Sequence, residues 1–286
     1  MGGVRENENF RLNVASWAKV RSRNTQKITE FLKKDAENRI PRIMLAPMTG
    51  AVENIGWKDE ESFYFHVVHA SAQAGIGLSI GDGTPDEKLR FGINAVSALK
   101  KKAAVFIKPY PDEKIFERMN WAREIANTIG IDIDSFNILT MRNLVNLEKK
   151  SVAQLLKIKE IASKELDVPF AIKGIFTKED LELVKEVKPD IAYISNHGGR
   201  VETRIGSTAD FLEAHASELK SNAGELWIDG GIRTPLDVAT AMALGADRIL
   251  VGRPLATALC AGGEKAMCKK ALELSLVKHG FFGDCV

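Results

Sequence analysis

Reactive side chains follow short apolar runs at several points of this chain. Lys173 lies near the end of FAIKGI (170–175), and His197 comes directly after IAYISN (191–196). A lysine in such a run is a Schiff-base nucleophile, a cation beside a cofactor, or an edge residue whose ammonium reaches solvent. Two glycines follow His197, so a proton acceptor stands beside a backbone that a ligand can approach. These neighbours favour a cation and a base acting on a bound ligand.

Two later runs carry a pattern typical of phosphate sites. Gly230-Gly231 and Arg233 follow LWID, and Gly252-Arg253 follows RILV just before Pro254. Glycine lets the backbone approach an anion, and a guanidinium can pair with phosphate oxygens beside a helix N-terminus. The ends of the last two strands therefore predict a ligand that carries a phosphate.

The elements that position these residues are eight apolar runs separated by helical stretches. The runs are IMLAPM (43–48), GLSIGD (77–82), AVFIKPY (104–110), IDIDSF (131–136), FAIKGI (170–175), IAYISN (191–196), LWIDGG (226–231) and RILVGR (248–253). They are apolar on both faces, which is typical of a parallel sheet covered by helices. Amphipathic stretches between them predict helices over 61–75, 112–128, 151–166, 177–187 and 234–245, with Ser151, Thr177 and Thr234 at helix starts.

Eight strand and helix pairs predict an α/β protein with the TIM (β/α)8 barrel fold. We expect residues 43–286 to form this barrel as a single domain. Residues 1–42 are expected to be a short helical N-terminal extension, with a basic helix over 13–34 that caps the bottom of the barrel.

A barrel of this kind works at the carboxyl ends of its strands, so the residues there are the candidate site. Around the barrel they are Pro47-Met48-Thr49, Ser79, Lys108 with Tyr110, Asp134-Ser135, Lys173, Ser195-Asn196-His197, Asp229-Gly230-Gly231 and Gly252-Arg253. Gly174, Gly198, Gly199, Gly230, Gly231 and Gly252 also lie at these ends, where we expect a ligand to approach the backbone.

Composition narrows the class of protein. Of the 286 residues, 45% are hydrophobic and 27% charged, as in ordinary globular proteins, and the net charge of +2 is too small for a nucleic-acid binder. The three cysteines, Cys260, Cys268 and Cys285, do not suggest a disulfide framework. With neither a signal peptide nor a membrane segment visible, a cytoplasmic protein is expected. His66 and His69 look like a structural pair, so no metal site is predicted.

Four motifs occur together in an informative order: AIKGI (170–174), ISNHGGR (194–200), DGGIR (229–233) and LGADRILVGRP (244–254). In order and spacing they resemble the FMN-dependent α-hydroxy-acid oxidase and dehydrogenase family. NVASWAKVR (13–21) and LAPMTG (45–50) are similar to the family's N-terminal segment and first strand. The resemblance implies FMN as cofactor, an oxidoreductase, and hydride transfer from a small 2-hydroxy acid to flavin N5.

The resemblance also implies a role for each matching residue. His197 would be the base that removes the hydroxyl proton, Lys173 would lie beside the flavin N1 edge, and Arg200 and Tyr110 would bind the substrate. Cofactor contacts would come from Pro47, Met48, Thr49, Ser79, Lys108, Ser135, Ser195, Asp229, Gly230, Gly231, Arg233, Gly252 and Arg253.

The chain departs from the family pattern at several points. Lys108 stands where the family usually has glutamine, and Ser135 where it usually has threonine. A substrate-binding tyrosine has no counterpart near the start, and the short fourth loop lacks a second carboxylate-binding arginine, for which Arg142 is a candidate. Asp132 and Asp134 are expected to repel an anionic acid.

These departures leave two alternatives open. One is an FMN-dependent isomerase resembling the type 2 isopentenyl diphosphate isomerases, and the other is a flavin-binding protein without turnover. Barrels of this kind often form homo-oligomers, such as tetramers or octamers, but no surface in the sequence identifies one.

Overall fold

Eight parallel strands form the centre of the molecule in a computed structural model that describes residues 7–35, 41–138, 145–201 and 203–276. The strands are β1 (Ile43–Leu45), β2 (Ser79–Gly81), β3 (Ala103–Ile107), β4 (Ala126–Asp132), β5 (Phe170–Ile175), β6 (Ile191–Ile194), β7 (Glu225–Ile228) and β8 (Arg248–Val251). Each strand from β2 to β7 pairs with the next, and β8 pairs with β1. A bridge between Met44 and Gly77 brings β1 close to β2 and nearly closes the barrel. The predicted TIM barrel is confirmed.

Helices precede the first strand and alternate with the others. They are α1 (Glu8–Arg23), α2 (Thr25–Lys34), α3 (Ala51–Ile55), α4 (Glu60–Gln73), α5 (Glu87–Ala98), α6 (Asp112–Ala122), α7 (Val152–Leu166), α8 (Lys178–Val187), α9 (Thr208–Lys220), α10 (Pro235–Ala243) and α11 (Arg253–Leu274). Ser151, Thr177 and Thr234 are the N-caps of α7, α8 and α10, and each side chain accepts a backbone N–H. These three predicted helix starts are confirmed.

The boundary between α6 and β4 differs from the prediction. The helix was expected to run to residue 128 and the strand to begin at residue 131, but α6 ends at Ala122 and β4 begins at Ala126. Residues 121, 122, 125 and 126 are apolar at helical spacing, so the pattern continues past the true helix end. Pairing with β3, from Ala103–Ala126 onward, makes this segment a strand.

Alternate strand residues divide the core into two parts. Ile43 and Leu45 pack in the larger cluster between sheet and helices, whereas Met44 belongs to a smaller cluster of inward-facing side chains. In that inner cluster the rings of Phe106 and Tyr193 lie 5.3 Å apart, and those of Tyr193 and Trp227 lie 6.1 Å apart. The barrel is therefore filled by aromatic side chains.

The N-terminal helix lies at the carboxyl end of the barrel. The Asn7 side chain donates to the carbonyl of Gly199, and Trp17 Nε1 donates to the carbonyl of Gly230 at 2.9 Å. Both acceptors belong to turns that follow strands, after β6 and after β7. The expectation that this segment caps the bottom of the barrel is wrong, because α1 packs on the end where a barrel's site is built. The division into residues 1–42 and 43–286 stays a prediction.

Two further observations concern the cysteines and membrane-spanning helices. Cys260 is a free, exposed thiol, and Cys268 is buried. None of the helices in the described ranges combines the length and apolar character that a bilayer-crossing segment requires.

Candidate functional site

A cleft of about 960 Å3, counted with the open space at its mouth, lies at the carboxyl ends of the strands. Most of the predicted site residues line it. They are Pro47, Met48, Thr49, Lys173, His197, Arg200, Asp229, Gly230, Gly231, Arg233, Gly252 and Arg253. Residues from β1, β5, β6, β7 and β8 thus meet in one place, although they are far apart in the sequence.

Five other predicted residues lie nearby but do not line the cleft. The Ser79 hydroxyl donates to the carbonyl of Leu45, and the Ser135 hydroxyl donates to that of Asp132 at 3.1 Å. The Ser195 hydroxyl lies 2.9 Å from both carboxylate oxygens of Asp229. All three serines are buried and hydrogen-bonded within the protein.

Tyr110 and Lys108 are the remaining two. The Tyr110 hydroxyl is buried 3.5 Å from the carbonyl of Gly83, and burial raises its pKa above the ordinary value. The Lys108 ammonium points at Asp132, 2.8 Å away. Arg142, the candidate second carboxylate-binding arginine, lies outside the described residues.

His197 is held in a tight turn after β6. The residue adopts a left-handed conformation with φ of +52°, and Gly198 and Gly199 follow with φ of +63° and +95°. The Asn196 side chain accepts the N–H of Gly199 at 3.0 Å, and the Asn13 amide of α1 donates to that same oxygen at 2.8 Å. A strained conformation of this kind persists only where the surroundings hold it, and it directs the imidazole toward its neighbours.

Both imidazole nitrogens of His197 have partners. Nδ1 lies 2.9 Å from Oδ2 of Asp134, a fully buried carboxylate. Nε2 lies 3.2 Å from the Lys173 ammonium and 3.3 Å from Oδ2 of Asp132. When Nδ1–H donates to Asp134, the Nε2 lone pair faces the Lys173 ammonium, with Asp132 also nearby. In this tautomer Nε2 is the nitrogen that can accept a proton.

Asp132 joins the two buried lysines. Its Oδ1 lies 2.8 Å from the ammonium of Lys173, and its Oδ2 lies 2.8 Å from that of Lys108. Burial alone would raise the pKa of Asp132, but Lys108, Lys173 and His197 hold it well below the ordinary value. Burial opposes the charge on Lys173, yet Asp132, Asp229 and Asp134 raise its pKa. Both groups are charged near neutral pH.

This pairing changes the expectation for the two carboxylates. Asp132 and Asp134 were expected to repel an anionic acid, but neither lines the cleft, and both contact cationic or hydrogen-bond-donating side chains. The sequence placed Asp134 among the candidate residues at the strand ends, but it gave neither carboxylate a catalytic or binding role. The signal was the sequence DID at the end of a buried strand, because alternate residues of a strand share a face.

Three arginines gather at the other end of the cleft. The Arg253 guanidinium donates to the carbonyl of Gly198 at 2.8 Å, Arg233 to that of Ile232 at 2.8 Å, and Arg200 to that of His197 at 3.2 Å. Within the described ranges no ion pair forms between these guanidinium groups and a carboxylate. Burial, with repulsion from Arg200 and Arg233, lowers the pKa of Arg253 to about 10. Such a group of buried cations favours an anion as ligand.

Helix α1 covers this arginine group. The Phe10 ring lies 4.7 Å from the Arg253 guanidinium and 6.0 Å from that of Arg233, as in cation–π contacts. The buried Asn13 side chain accepts the N–H of Thr208 at 3.0 Å. Neither Phe10 nor Asn13 was predicted to belong to the site, since only the fold brings α1 to this end of the barrel.

The same helix explains two of the glycines. A Cβ atom on Gly231 would lie 1.8 Å from the carbonyl oxygen of Asn13, and one on Gly199 would lie 2.6 Å from the backbone nitrogen of Phe10. At these two positions the close approach is made by α1, whereas the sequence predicted a ligand there.

Glu60 is a further residue that the sequence did not single out. Its buried carboxylate accepts the N–H groups of Gly50 and Ala51 at 2.5 and 2.8 Å. It thereby holds the loop after β1, in which Pro47, Met48 and Thr49 line the cleft.

Comparison with known proteins identifies the family of this chain. Residues 114–275 match the model of the FMN-dependent dehydrogenase family, and this match spans more than half of the chain. The chain belongs to the FMN-dependent dehydrogenase family. The predicted family is confirmed, and the four motifs between residues 170 and 254 lie within the matched region.

Individual relatives match a shorter part. Over 107 residues the chain is 38% identical to 2-hydroxyacid oxidase 2 of Rattus norvegicus, which covers 37% of this chain and 30% of that protein. Over 110 residues it is 44% identical to an L-lactate dehydrogenase of Pseudomonas aeruginosa strain LESB58, covering 38% of this chain and 28% of that protein. The matched segment therefore spans about a third of the length of these curated relatives.

Solved structures show the same fold over nearly the whole chain. A crystal structure of mandelate oxidase with 3,3-difluoro-2-hydroxy-3-phenylpropionic acid has a TM-score of 0.64 at 18% identity, covering 96% of this chain and 85% of that one. A mandelate oxidase variant with benzoyl-formic acid has a TM-score of 0.65 at 19% identity, with the same coverage.

Proposed function

We propose that this protein binds FMN in the cleft and oxidises a small 2-hydroxy acid. The residues of the cleft fit the cofactor in charge. Arg233 and Arg253 lie beside Gly252 at the start of α11, where a phosphate would meet both guanidinium groups and the helix N-terminus. Since no carboxylate within the described ranges forms an ion pair with these arginines, a phosphate would supply the missing negative charge.

The rest of the cofactor would be held by the other cleft residues. Asp229, Gly230 and Gly231 would face the ribityl chain, and Pro47, Met48 and Thr49 would line the ring. When bound, FMN would supply a two-electron acceptor for the hydride that leaves the substrate Cα. Ser79, Lys108, Ser135 and Ser195 do not line the cleft, so the proposal does not rely on direct contacts from them.

His197 would take the hydroxyl proton of the substrate. The observation that supports this role is the contact of Nδ1 with Asp134 at 2.9 Å, which leaves Nε2 as the proton acceptor in the cleft wall. Asp134 would also stabilise the imidazolium once the proton has arrived. Arg200 would bind the substrate carboxylate, and loss of the proton and the hydride converts the hydroxy acid into a 2-oxo acid.

The test is the visible spectrum of the purified protein, followed by anaerobic titration with L-lactate, glycolate and mandelate. We expect an FMN spectrum that bleaches with at least one of these acids. His197→Ala should bind FMN equally well but slow the bleaching about 10³-fold, since general base catalysis typically contributes this much. His215→Ala, which changes a histidine on α9, is the matched control and should bleach like the unmodified protein.

Two outcomes would contradict the proposal. FMN that stays oxidised with every acid would favour a flavin-binding protein without turnover, and conversion of a diphosphate substrate only after chemical reduction of FMN would favour the isomerase. Equal bleaching rates in His197→Ala and the unmodified protein would show that His197 is not the base.

A further inference from the structure

Two buried charges lie behind the cleft wall, and the proposed function gives neither of them a role, although Asp132 Oδ2 lies 3.3 Å from Nε2 of His197. They are Lys108 on the loop after β3 and Asp132 at the end of β4, which contact each other at 2.8 Å. Both are almost fully buried, and neither lines the cleft. Asp132 is also the register partner of Lys173, whose ammonium lies 2.8 Å away and does line the cleft.

The Lys108 ammonium, the Asp132 carboxylate and the Lys173 ammonium form a chain of two ion pairs, which we call the bridge. Two ammonium groups and one carboxylate leave a net charge of +1. Without Asp132, two buried ammonium groups would remain, so Asp132 is needed to hold them inside. Without Lys108, the carboxylate would cancel the charge of Lys173, and the bridge would be neutral.

We propose that Asp132 positions the Lys173 ammonium at the cleft wall, and that Lys108 restores the positive charge that Asp132 cancels. The pair thereby sets the affinity of the cleft for reduced relative to oxidised FMN. This inference rests on the proposed function, because it requires FMN in the cleft. Lys108 and Asp132 are positioning residues that act through the field of the bridge.

The expected shift in the midpoint potential of bound FMN follows from a change of one unit of charge. Reduced FMN carries one more negative charge than oxidised FMN, so the net charge of the bridge affects the two forms differently. Across a partly polar interior, one charge changes the ratio of the two affinities by about tenfold. For a two-electron couple this ratio corresponds to about 30 mV in the midpoint potential.

The test measures the midpoint potential of bound FMN against redox dyes in the holoprotein, with the dissociation constant of oxidised FMN alongside. Lys108→Gln removes a positive charge and should lower the potential by the shift expected for a tenfold change. Asp132→Asn removes a negative charge and should raise it by a similar amount. The double variant Lys108→Gln/Asp132→Asn keeps the net charge of +1 and should return close to the unmodified value.

Two further variants separate charge from structure. Lys108→Arg keeps the charge and should leave the potential unchanged, and it carries the test together with Lys108→Gln if Asp132→Asn fails to fold. Lys149→Gln removes a positive charge at an exposed ion pair with Glu179 and should also have no effect.

Each failure has its own signature. An unmodified protein that takes up no FMN would overturn the proposed function and this inference together. A protein that binds FMN and oxidises hydroxy acids, but whose potential is the same in Lys108→Gln and Lys108→Arg, would overturn this inference alone. Shifts of the same sign in Lys108→Gln and Asp132→Asn would do so as well.

Discussion

The two ends of the cleft handle charge in opposite ways. At the ends of β4, β5 and β6, the carboxylates of Asp132 and Asp134 contact Lys108, Lys173 and His197 at distances of 2.8 to 3.3 Å. After β6, β7 and β8, the guanidinium groups of Arg200, Arg233 and Arg253 donate to backbone carbonyls, and within the described ranges they form no ion pair.

This contrast separates a region that is complete by itself from one that needs a ligand. Paired charges hold each other in place, so the side chains proposed for proton transfer are ordered before a ligand arrives. Guanidinium groups that form no ion pair repel one another under the helix, and an added anion would relieve this repulsion. The first end suits chemistry that requires fixed geometry, and the second suits retention of a phosphate.

The largest effect is expected from removing one cation at each end and measuring the unfolding free energy of the apoprotein in urea. Lys173→Met leaves Asp132 with a single ammonium partner and should lower the unfolding free energy by about 3 kcal/mol. Arg253→Met removes a repelling cation and one backbone hydrogen bond, so the change should stay within about 1 kcal/mol.

The anion response provides the control for this pair. Inorganic phosphate should raise the melting temperature of the unmodified apoprotein and of Lys173→Met, because it binds the folded state. It should not stabilise Arg253→Met. Equal losses of stability in the two variants, or a phosphate response that survives Arg253→Met, would erase the contrast between the two ends.

A somewhat smaller effect is expected where α1 closes over the arginine end. Gly231→Ala places a Cβ 1.8 Å from the Asn13 carbonyl oxygen at φ of +77°, so it should lower the unfolding free energy by about 2–3 kcal/mol. Gly56→Ala has a similar φ of +68° with nothing within 4 Å of the new Cβ, and should cost only about 1 kcal/mol. Urea unfolding of both variants measures the difference between their unfolding free energies. Equal losses of unfolding free energy would mean that α1 does not pack closely against the turn at Gly231.

The smallest effect concerns Asp82, a buried carboxylate at the end of β2 that lacks the two ammonium partners of Asp132. Its nearest cation is Arg118, with Nε 3.6 Å from Oδ2. Burial raises the pKa of Asp82 to about 6 despite this guanidinium. The unfolded pKa is about 3.9, so the folded state binds this proton more tightly.

Stability from this proton is greatest below about pH 4 and is lost as the pH rises through about 6, and the loss between pH 4 and pH 7 is about 2 kcal/mol. Urea unfolding at pH 4 and at pH 7 should show this loss in the unmodified protein and a smaller one in Asp82→Asn. Asp86→Asn changes a partly exposed carboxylate beside the same arginine. Because the pKa of Asp86 is lowered, this variant should not diminish the loss of stability between pH 4 and pH 7. An unchanged difference in Asp82→Asn would mean that this carboxyl is ionised throughout.

Much of the barrel could be predicted because its signals are local. Runs apolar on both faces marked the strands, and Ser151, Thr177 and Thr234 marked helix starts through hydrogen bonds that span three residues. The start of β4 was missed since residues 121–126 keep a helical spacing of apolar side chains. Pairing with β3, which the local pattern does not contain, decides that segment.

The candidate site could also be predicted only in part. Lys173, His197 and Arg253 could be placed at one rim because a parallel barrel brings all strand ends together. The partners of those residues could not be predicted. Asp132 looked like a repelling charge until Lys108 and Lys173 were found on both of its oxygens. Phe10 and Asn13 belong to a helix whose position on the barrel has no local signal.

By itself, the sequence determined the barrel, the family, and the types of residue at the carboxyl ends of the strands. Only the tertiary structure decided which of these charges are paired, which face the cleft, and that α1 covers the arginine end. The physical reason is the separation along the sequence over which each kind of interaction acts. Strand and helix patterns act over a few neighbouring residues, whereas the contact between Lys108 and Asp132 spans 24 positions and that between Asn13 and Asn196 spans 183.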